Sequence, residues 1–290
     1  MTKQINVGFN GSASSSEAVL WAAAEASARG ARLRLISCYS IPVIPGAGFG
    51  LTASEAYTSV LEEAHSGLQH MRAVIAAAHP GLEITTLASS DPAVSVLVDG
   101  VVVDDLVVVG TSNHHGAAGL WLGSTARHVV RHSPCPVVVV PGPGSWGKPD
   151  RVIVGVDGSP SSRQALQWAG DEADRYGAQL VVVHGWMYPY MHADPDSSQA
   201  RDLTRMDAAS LLDREVESAR EQFAAEVTGR LVECSPSTAL LDTVRHGDLL
   251  VVGSKGHGAI HTTLFGSTVS SVLDHCDVPT VVVRGSTTDR

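Results

Sequence analysis

Apolar residues follow two patterns along this chain, and each pattern predicts one kind of element. Residues 5–9 and 152–156 are short runs of apolar residues that stop at Gly-Ser pairs, as strands buried on both faces do. Helices are expected over 14–28 and 161–176, beginning beside serines that can accept from the unpaired N–H groups of a first turn. Second strands follow at 33–37 and 179–184. Tyr57, Leu61, Ala64, Leu68, Met71 and Ile75 then recur at three- and four-residue steps, the stripe of a long amphipathic helix. Leu212, Val216, Ala219, Phe223 and Val227 repeat that stripe in the second half. Each half closes with a third strand (82–87; 230–234), a third helix (93–103; 238–245), a fourth strand (106–109; 249–252), a helix from Ser124 or Ser267, and a last strand (137–140; 281–283). Strands alternating with helices pair in parallel through right-handed crossovers. The pattern predicts a doubly wound α/β sandwich, twice over.

The two halves are copies. Val7-Gly-Phe-Asn10-Gly-Ser12 is answered by Val154-Gly-Val-Asp157-Gly-Ser159, 147 positions later, and Trp21-Ala22 by Trp168-Ala169. Asp105-Leu-Val-Val-Val-Gly110 is answered by Asp248-Leu-Leu-Val-Val-Gly253, now 143 positions later, so the first copy carries four extra residues, assigned to residues 41–53. A period this long means two domains, since solenoid units run to about 20–50 residues. We place the first domain at 1–141, a Pro/Gly-rich linker at 142–150 and the second domain at 151–290.

Composition narrows the class. A formal charge of −10 argues against a nucleic-acid surface, which carries a basic stripe. No apolar run reaches the ~18 residues of a membrane span, and no charged-then-apolar leader opens the chain; these features predict a cytoplasmic, soluble protein. Cys38, Cys135, Cys234 and Cys276 lack CxxC spacing and are expected to be small buried residues.

The chemistry lies in a duplicated glycine motif. The second half reads Gly253-Ser-Lys255-Gly256, nine residues, then Gly266-Ser267-Thr268; the first reads Gly110-Thr-Ser-Asn113, nine residues, then Gly123-Ser124-Thr125. Set between a strand and a helix, such a loop can approach a ligand closely and present the helix N-terminal N–H groups to an anion. Asp157, ending the first strand of its copy, could accept from a ribose diol or an adenine amine; Asn10 stands in its place in the first copy. Ligands of doubly wound sheets sit at these carboxyl strand ends. A Walker A loop is absent, so no phosphate lysine or magnesium hydroxyl is assigned from it.

These motifs, with the Pro-Val-Val-Val type of last strand, resemble those of the universal stress proteins in tandem-domain form, over nearly the whole chain. The resemblance implies two Rossmann-like domains of the adenine nucleotide alpha hydrolase-like type, each a five-stranded parallel sheet sandwiched by helices. It implies ATP, with or without Mg, as ligand and a role in signalling stress or growth state to an unidentified protein partner. By the same resemblance Gly155, Val156 and Asp157 face the adenosine, and Gly253, Lys255, Gly256, Gly266, Ser267 and Thr268 surround the phosphates, with His257 and Gly258 adjacent. Gly8, Asn10, Gly110, Asn113, Gly123, Ser124 and Thr125 are the first copy's equivalents. Asn10 and Asn113 depart from the pattern, so weaker ATP binding is expected there; asparagine tolerates the left-handed conformation, so the loop shape could survive. The last strands are expected to pair in an intramolecular pseudo-dimer, and a homodimer stays open.

Other readings are blander. His114-His115 either touch phosphate or sit in solvent; His128 and His132 at i,i+4 lack further ligand types for a metal; His132 and His275 fit caps at helix ends. Trp21 and Trp168 are expected in the core, and Asp242 with Asp248 makes no acid/base pair. No catalytic constellation is identified, so a non-enzymatic ATP-binding regulator leads, ahead of a nucleotide-independent interaction module and a slow ATP hydrolase.

Overall fold

The computed structural model describes residues 2–40, 51–111, 122–142, 144, 146–188, 197–256 and 266–284, with side chains from 58 and from 198 in the helices that open at 51 and 197. The chain divides into two compact units, Met1–Ser145 and Trp146–Arg290. The first runs β1 (Gln4–Gly8), α1 (Ala13–Arg29), β2 (Arg32–Cys38), α2 (Leu51–Ala78), β3 (Ile84–Ser89), α3 (Ala93–Val98), β4 (Leu106–Gly110), α4 (Ser124–His132) and β5 (Val137–Val140). The second runs β6 (Arg151–Gly155), α5 (Pro160–Tyr176), β7 (Gln179–Trp186), α6 (Ser197–Gln222), β8 (Val227–Glu233), α7 (Pro236–Leu241), β9 (Leu249–Gly253), α8 (Ser267–His275) and β10 (Thr280–Val283). Within the units the strand orders are β3-β2-β1-β4-β5 and β8-β7-β6-β9-β10. The pairs are parallel, with Gly8 beside Ile36 in one unit and Gly155 beside Val183 in the other. The order reverses between β1 and β4, and between β6 and β9, which opens a crevice at their carboxyl ends.

Burial explains the continuous apolar runs. Ile5, Val7, Val107, Val108, Ile153, Val154, Leu250 and Val251 are fully buried between helices on both faces, each stabilising its unit by roughly 1.5–3 kcal/mol relative to exposure. Ser12 and Ser159 cap α1 and α5 by accepting from the N–H groups of Ser15 and Ser162, and Gly30 and Gly177 end those helices at φ 63 and 60. A buried glutamate meets an arginine near the end of the first helix in both copies: Glu25 with Arg29, and Glu172 with the exposed Arg175 at 3.1 Å.

Several expected elements change. The third helices stop early, at Val98 and Leu241 instead of 103 and 245. In the first unit Gly100, at φ 70, turns the chain out of helix, and Val102 and Val103 are left exposed. Asp105 then accepts from the N–H groups of Val102 and Gln4, which fixes the start of β4. Val227 belongs to β8, where it pairs with Leu180, and not to the preceding helix. The helix ends at Gln222 because the N–H groups of Ala224 and Ala225 turn to the Asp174 carboxylate. Trp21 is buried, whereas Trp168 is only half-buried. Cys135 and Cys276 are buried as expected, but Cys38 and Cys234 are partly exposed. Of the segment holding the four extra residues, 41–50 lies outside the described residues and 51–53 opens α2.

Candidate functional site

In each unit the first strand ends in an Asx turn that launches the next helix. Asn10 Oδ1 accepts from Ser12 N at 3.1 Å, and Asp157 Oδ1 accepts from Ser159 N at 3.0 Å. The N–H of Asn10 donates to Ser15 Oγ, and that of Asp157 to Ser162 Oγ, both at 3.3 Å. Asn10 and Asp157 therefore occupy the same scaffold and differ in charge. Val156 is buried, and its carbonyl accepts from His184 Nδ1 at 2.7 Å, which ties the end of β6 to β7. Gly8 and Gly155 let Leu97 and Leu240 close over the strand ends; a Cβ there would lie 3.5 and 3.1 Å from those leucines.

The motif glycines serve close approach, not unusual backbone. Gly110, Gly123, Gly253, Gly256 and Gly266 have no positive φ, whereas Gly11 and Gly158 in the preceding turns do, at 78 and 76. A Cβ on Gly110 would lie 2.6 Å from the Ser14 carbonyl oxygen, and one on Gly253 2.7 Å from that of Ser161. The first glycine thus admits the opening turn of α1 or α5. A Cβ on Gly256 would lie 2.5 Å from Asp157 Oδ2, so this glycine leaves room for the carboxylate. The proposed reason for tolerating Asn113, left-handed backbone, is therefore corrected for the equivalent Gly256: space is what that position supplies. The loop is closed at its base by the N–H of Gly266 donating to the Ser254 carbonyl at 3.3 Å. Ser159 Oγ donates to the Lys255 carbonyl and Lys255 N to Ser161 Oγ, each at 3.4 Å.

Gly123 and Gly266 are the N-caps of α4 and α8, and neither helix has a side-chain cap. The first-turn N–H groups at Ser124–Thr125 and Ser267–Thr268 have no partner within their helices, the arrangement that favours an anion. In the first unit the described residues enclose a cleft of about 750 Å³. Gly8, Asn10, Gly110, Gly123, Ser124 and Thr125 line it together. Thr111 also lines it, and its buried hydroxyl finds no partner among the described residues. In the second unit Asp157, Gly256 and Gly266 converge, with Lys255 exposed beside them. Asn113, His114, His115, His257 and Gly258 lie outside the described residues.

Cys38, Tyr39 and Asp91 also line the first cleft, from the ends of β2 and β3. They carry no motif, but their position at a carboxyl strand end is the signal that finds them. Burial first, and the Asp91 charge second, push the Cys38 thiol above its usual range. Burial pushes Cys135 up to about 11.

Several other titratable residues have structural partners. Asp248 receives Arg151 Nε at 3.0 Å and the N–H of Arg245 at 2.7 Å, so it anchors the start of β9. His132 and His275 bond the carbonyls of His128 and Ser271 through Nδ1, at 2.8 Å each, in the last turns of their helices. His128 bonds Ser124 O and stacks on His132, with ring centroids 6.0 Å apart. Among the described residues no group of three His, Cys, Asp or Glu side chains converges as a metal site. No described helix is long and apolar enough to cross a membrane.

Strand order, strand-end crevices and uncapped helices define a tandem Rossmann-like protein. Two stretches, 1–141 and 149–284, match the profile of the Universal stress protein family. The chain belongs to that family. It is 30% identical over 285 residues to a universal stress protein of Mycolicibacterium smegmatis, covering 97% of this chain and 96% of that relative. A universal stress protein of Mycobacterium tuberculosis (strain CDC 1551 / Oshkosh) is likewise 30% identical over 305 residues, with 98% and 97% covered. The crystal structure of a universal stress protein from Archaeoglobus fulgidus shares the fold, with a TM-score of 0.66 at 19% identity over 97% of this chain and 98% of that one.

Proposed function

We propose that this protein binds adenine nucleotide at the strand ends of its units, ATP above all at the second, and that occupancy regulates its engagement of a protein partner. The observation that carries this reading is the junction of a nucleoside-sized crevice with an uncapped helix start. Ligand pockets of small molecules fall at ~300–1,000 Å³, and the first cleft, at about 750 Å³, falls in that range. The orphaned Thr111 hydroxyl and the uncapped α4 supply donors of the kind phosphate oxygens need.

The residues proposed to hold nucleotide in the second unit are Gly155, Val156 and Asp157 toward the nucleoside, and Gly253, Lys255, Gly256, Gly266, Ser267 and Thr268 toward phosphate. His257 and Gly258 complete that loop in sequence. Gly8, Asn10, Gly110, Asn113, Gly123, Ser124 and Thr125 form the first unit's set. The second unit is the tighter ATP site, because Asp157 and Lys255 carry the charges that Asn10 and Ser112 lack. Mg²⁺ would travel with the triphosphate, and ATP serves as a signal without turnover. Bound nucleotide can regulate by favouring one conformation over another, which requires unequal affinity for the two. Release of nucleotide from purified protein, followed by chromatographic identification, tests the reading. Stoichiometric adenine nucleotide is expected; its absence, with no uptake of added ATP, would overturn it.

A further inference from the structure

Resting on that nucleotide reading, a comparison of the two strand-end sites shows that a carboxylate has changed strands. Leu97 packs on Gly8 as Leu240 packs on Gly155, which sets Asp91 at the position of Cys234. The register of β2 on β1 and of β7 on β6 likewise sets Cys38 at the position of Gly185. The second unit has its acid at the end of the first strand (Asp157) and a thiol after the third (Cys234); the first unit has an amide (Asn10) and an acid (Asp91).

The wall beside the acid differs too. A Cβ on Gly185 would lie 2.8 Å from Pro236 Cα, so the start of α7 closes directly onto β7. In the first unit a side chain, Cys38, stands there and lines the cleft with Asp91. The Asp91 carboxylate is oriented: Oδ2 accepts from Ser89 Oγ at 3.0 Å, and Ser89 Oγ accepts from the Asp91 N–H at 3.1 Å. Asp91 is the one charged side chain among the described residues lining this cleft. Residues 112–121 hold His114 and His115 but add no Lys, Arg, Asp or Glu in sequence, whereas the second loop has Lys255.

We propose that Asp91 sets the ligand of the first cleft, accepting a hydrogen bond from a nucleoside sugar or base and selecting a nucleoside or nucleoside monophosphate over a triphosphate. The α4 N-terminus and the Thr111 hydroxyl can satisfy one phosphate. Further phosphates would add negative charge beside the exposed Asp91 carboxylate, in a cleft whose described lining offers no Lys or Arg, and like charges repel. The acid that serves recognition in the first unit therefore also limits phosphate count. In the second unit the exposed Lys255, next to Gly256, supplies a cation that the described lining of the first cleft lacks.

Photolabelling of the full chain with 8-azidoadenosine, with labelled peptides assigned to each unit by mass spectrometry, tests this. Unlabelled adenosine, AMP and ATP serve as competitors. The first unit is expected to be protected by adenosine or AMP at lower concentration than by ATP, and the second unit by ATP first. Asp91→Asn should weaken adenosine at the first unit about tenfold, the scale of one charged hydrogen bond, and should narrow or reverse its preference against ATP. The second unit should be unchanged. Cys234→Asp should weaken ATP at the second unit, which gives a reciprocal test independent of how well Asp91→Asn folds. If ATP protects both units best, or if Asp91→Asn leaves the competition order at the first unit unmoved, the inference is wrong and the nucleotide reading stands. If neither unit is labelled and ATP does not bind, both fall.

Discussion

Replacing Gly256 by alanine adds one methyl group, which would lie 2.5 Å from Asp157 Oδ2, well inside the 3.4 Å where ordinary contact begins. Because Gly256 lacks a positive φ, backbone strain does not enter. The carboxylate must rotate, although its other oxygen holds the N–H of Ser159, the cap of α5. An off-rotamer side chain costs roughly 0.5–1.5 kcal/mol, and weakening a charged hydrogen bond costs about 1 kcal/mol more. Gly256→Ala should therefore destabilise the second unit by about 1.5–2.5 kcal/mol and, by misdirecting Asp157, weaken ATP about tenfold. The assay is a double-mutant cycle with Asp157→Ala, read by denaturant unfolding and by ATP titration. Once the carboxylate is gone, the alanine should be nearly neutral, giving a coupling of about 1.5–2.5 kcal/mol. Equal costs of Gly256→Ala in both backgrounds would refute the steric argument.

Other outcomes follow from the same geometry. Gly110→Ala and Gly253→Ala each press a Cβ onto the backbone of Ser14 or Ser161, at 2.6 and 2.7 Å, and should cost about 1–3 kcal/mol by denaturant midpoint; an unchanged midpoint contradicts that packing. Asp248→Ala removes the partner of Arg151 and of the Arg245 N–H, and should cost about 2–4 kcal/mol in the second unit by the same measurement. The Cys135 thiol, raised by burial to about 11 from 9.0, stays protonated in the fold where the unfolded chain has ionised. Its contribution is present below pH ~9 and is lost as pH rises toward ~11, about 2–3 kcal/mol in all. Unfolding measured across that range should show the slope, and Cys135→Ala should reduce it.

Periodicity and the repeat place the cores of β4, β5, β9 and β10 and both sandwiches, because buried parallel strands are written as unbroken Val/Leu runs, whereas the half-exposed β3 and β8 mix in polar residues. Val227 is misread from sequence because it continues the helical stripe of Leu212 and Val216; a distant carboxylate, Asp174, ends that helix. Val102 and Val103 mislead in a similar way, since Gly100 turns the chain before they could join α3. At the site, the glycine spacing is legible while its physical reason is not. That reason lies in neighbours more than 90 positions away, Ser14 for Gly110 and Asp157 for Gly256. Asp91 and Cys38 have no sequence motif, and only the register of β2 on β3 brings them to one cleft.

Titration of nucleotide-stripped full-length protein with ATP, alongside Asp157→Ala and Asn10→Ala variants, tests the central claim most directly. The account predicts saturable ATP uptake whose tighter phase disappears in Asp157→Ala and persists in Asn10→Ala. Absence of binding in the unmodified chain, or a tighter phase lost with Asn10 and kept without Asp157, would contradict it.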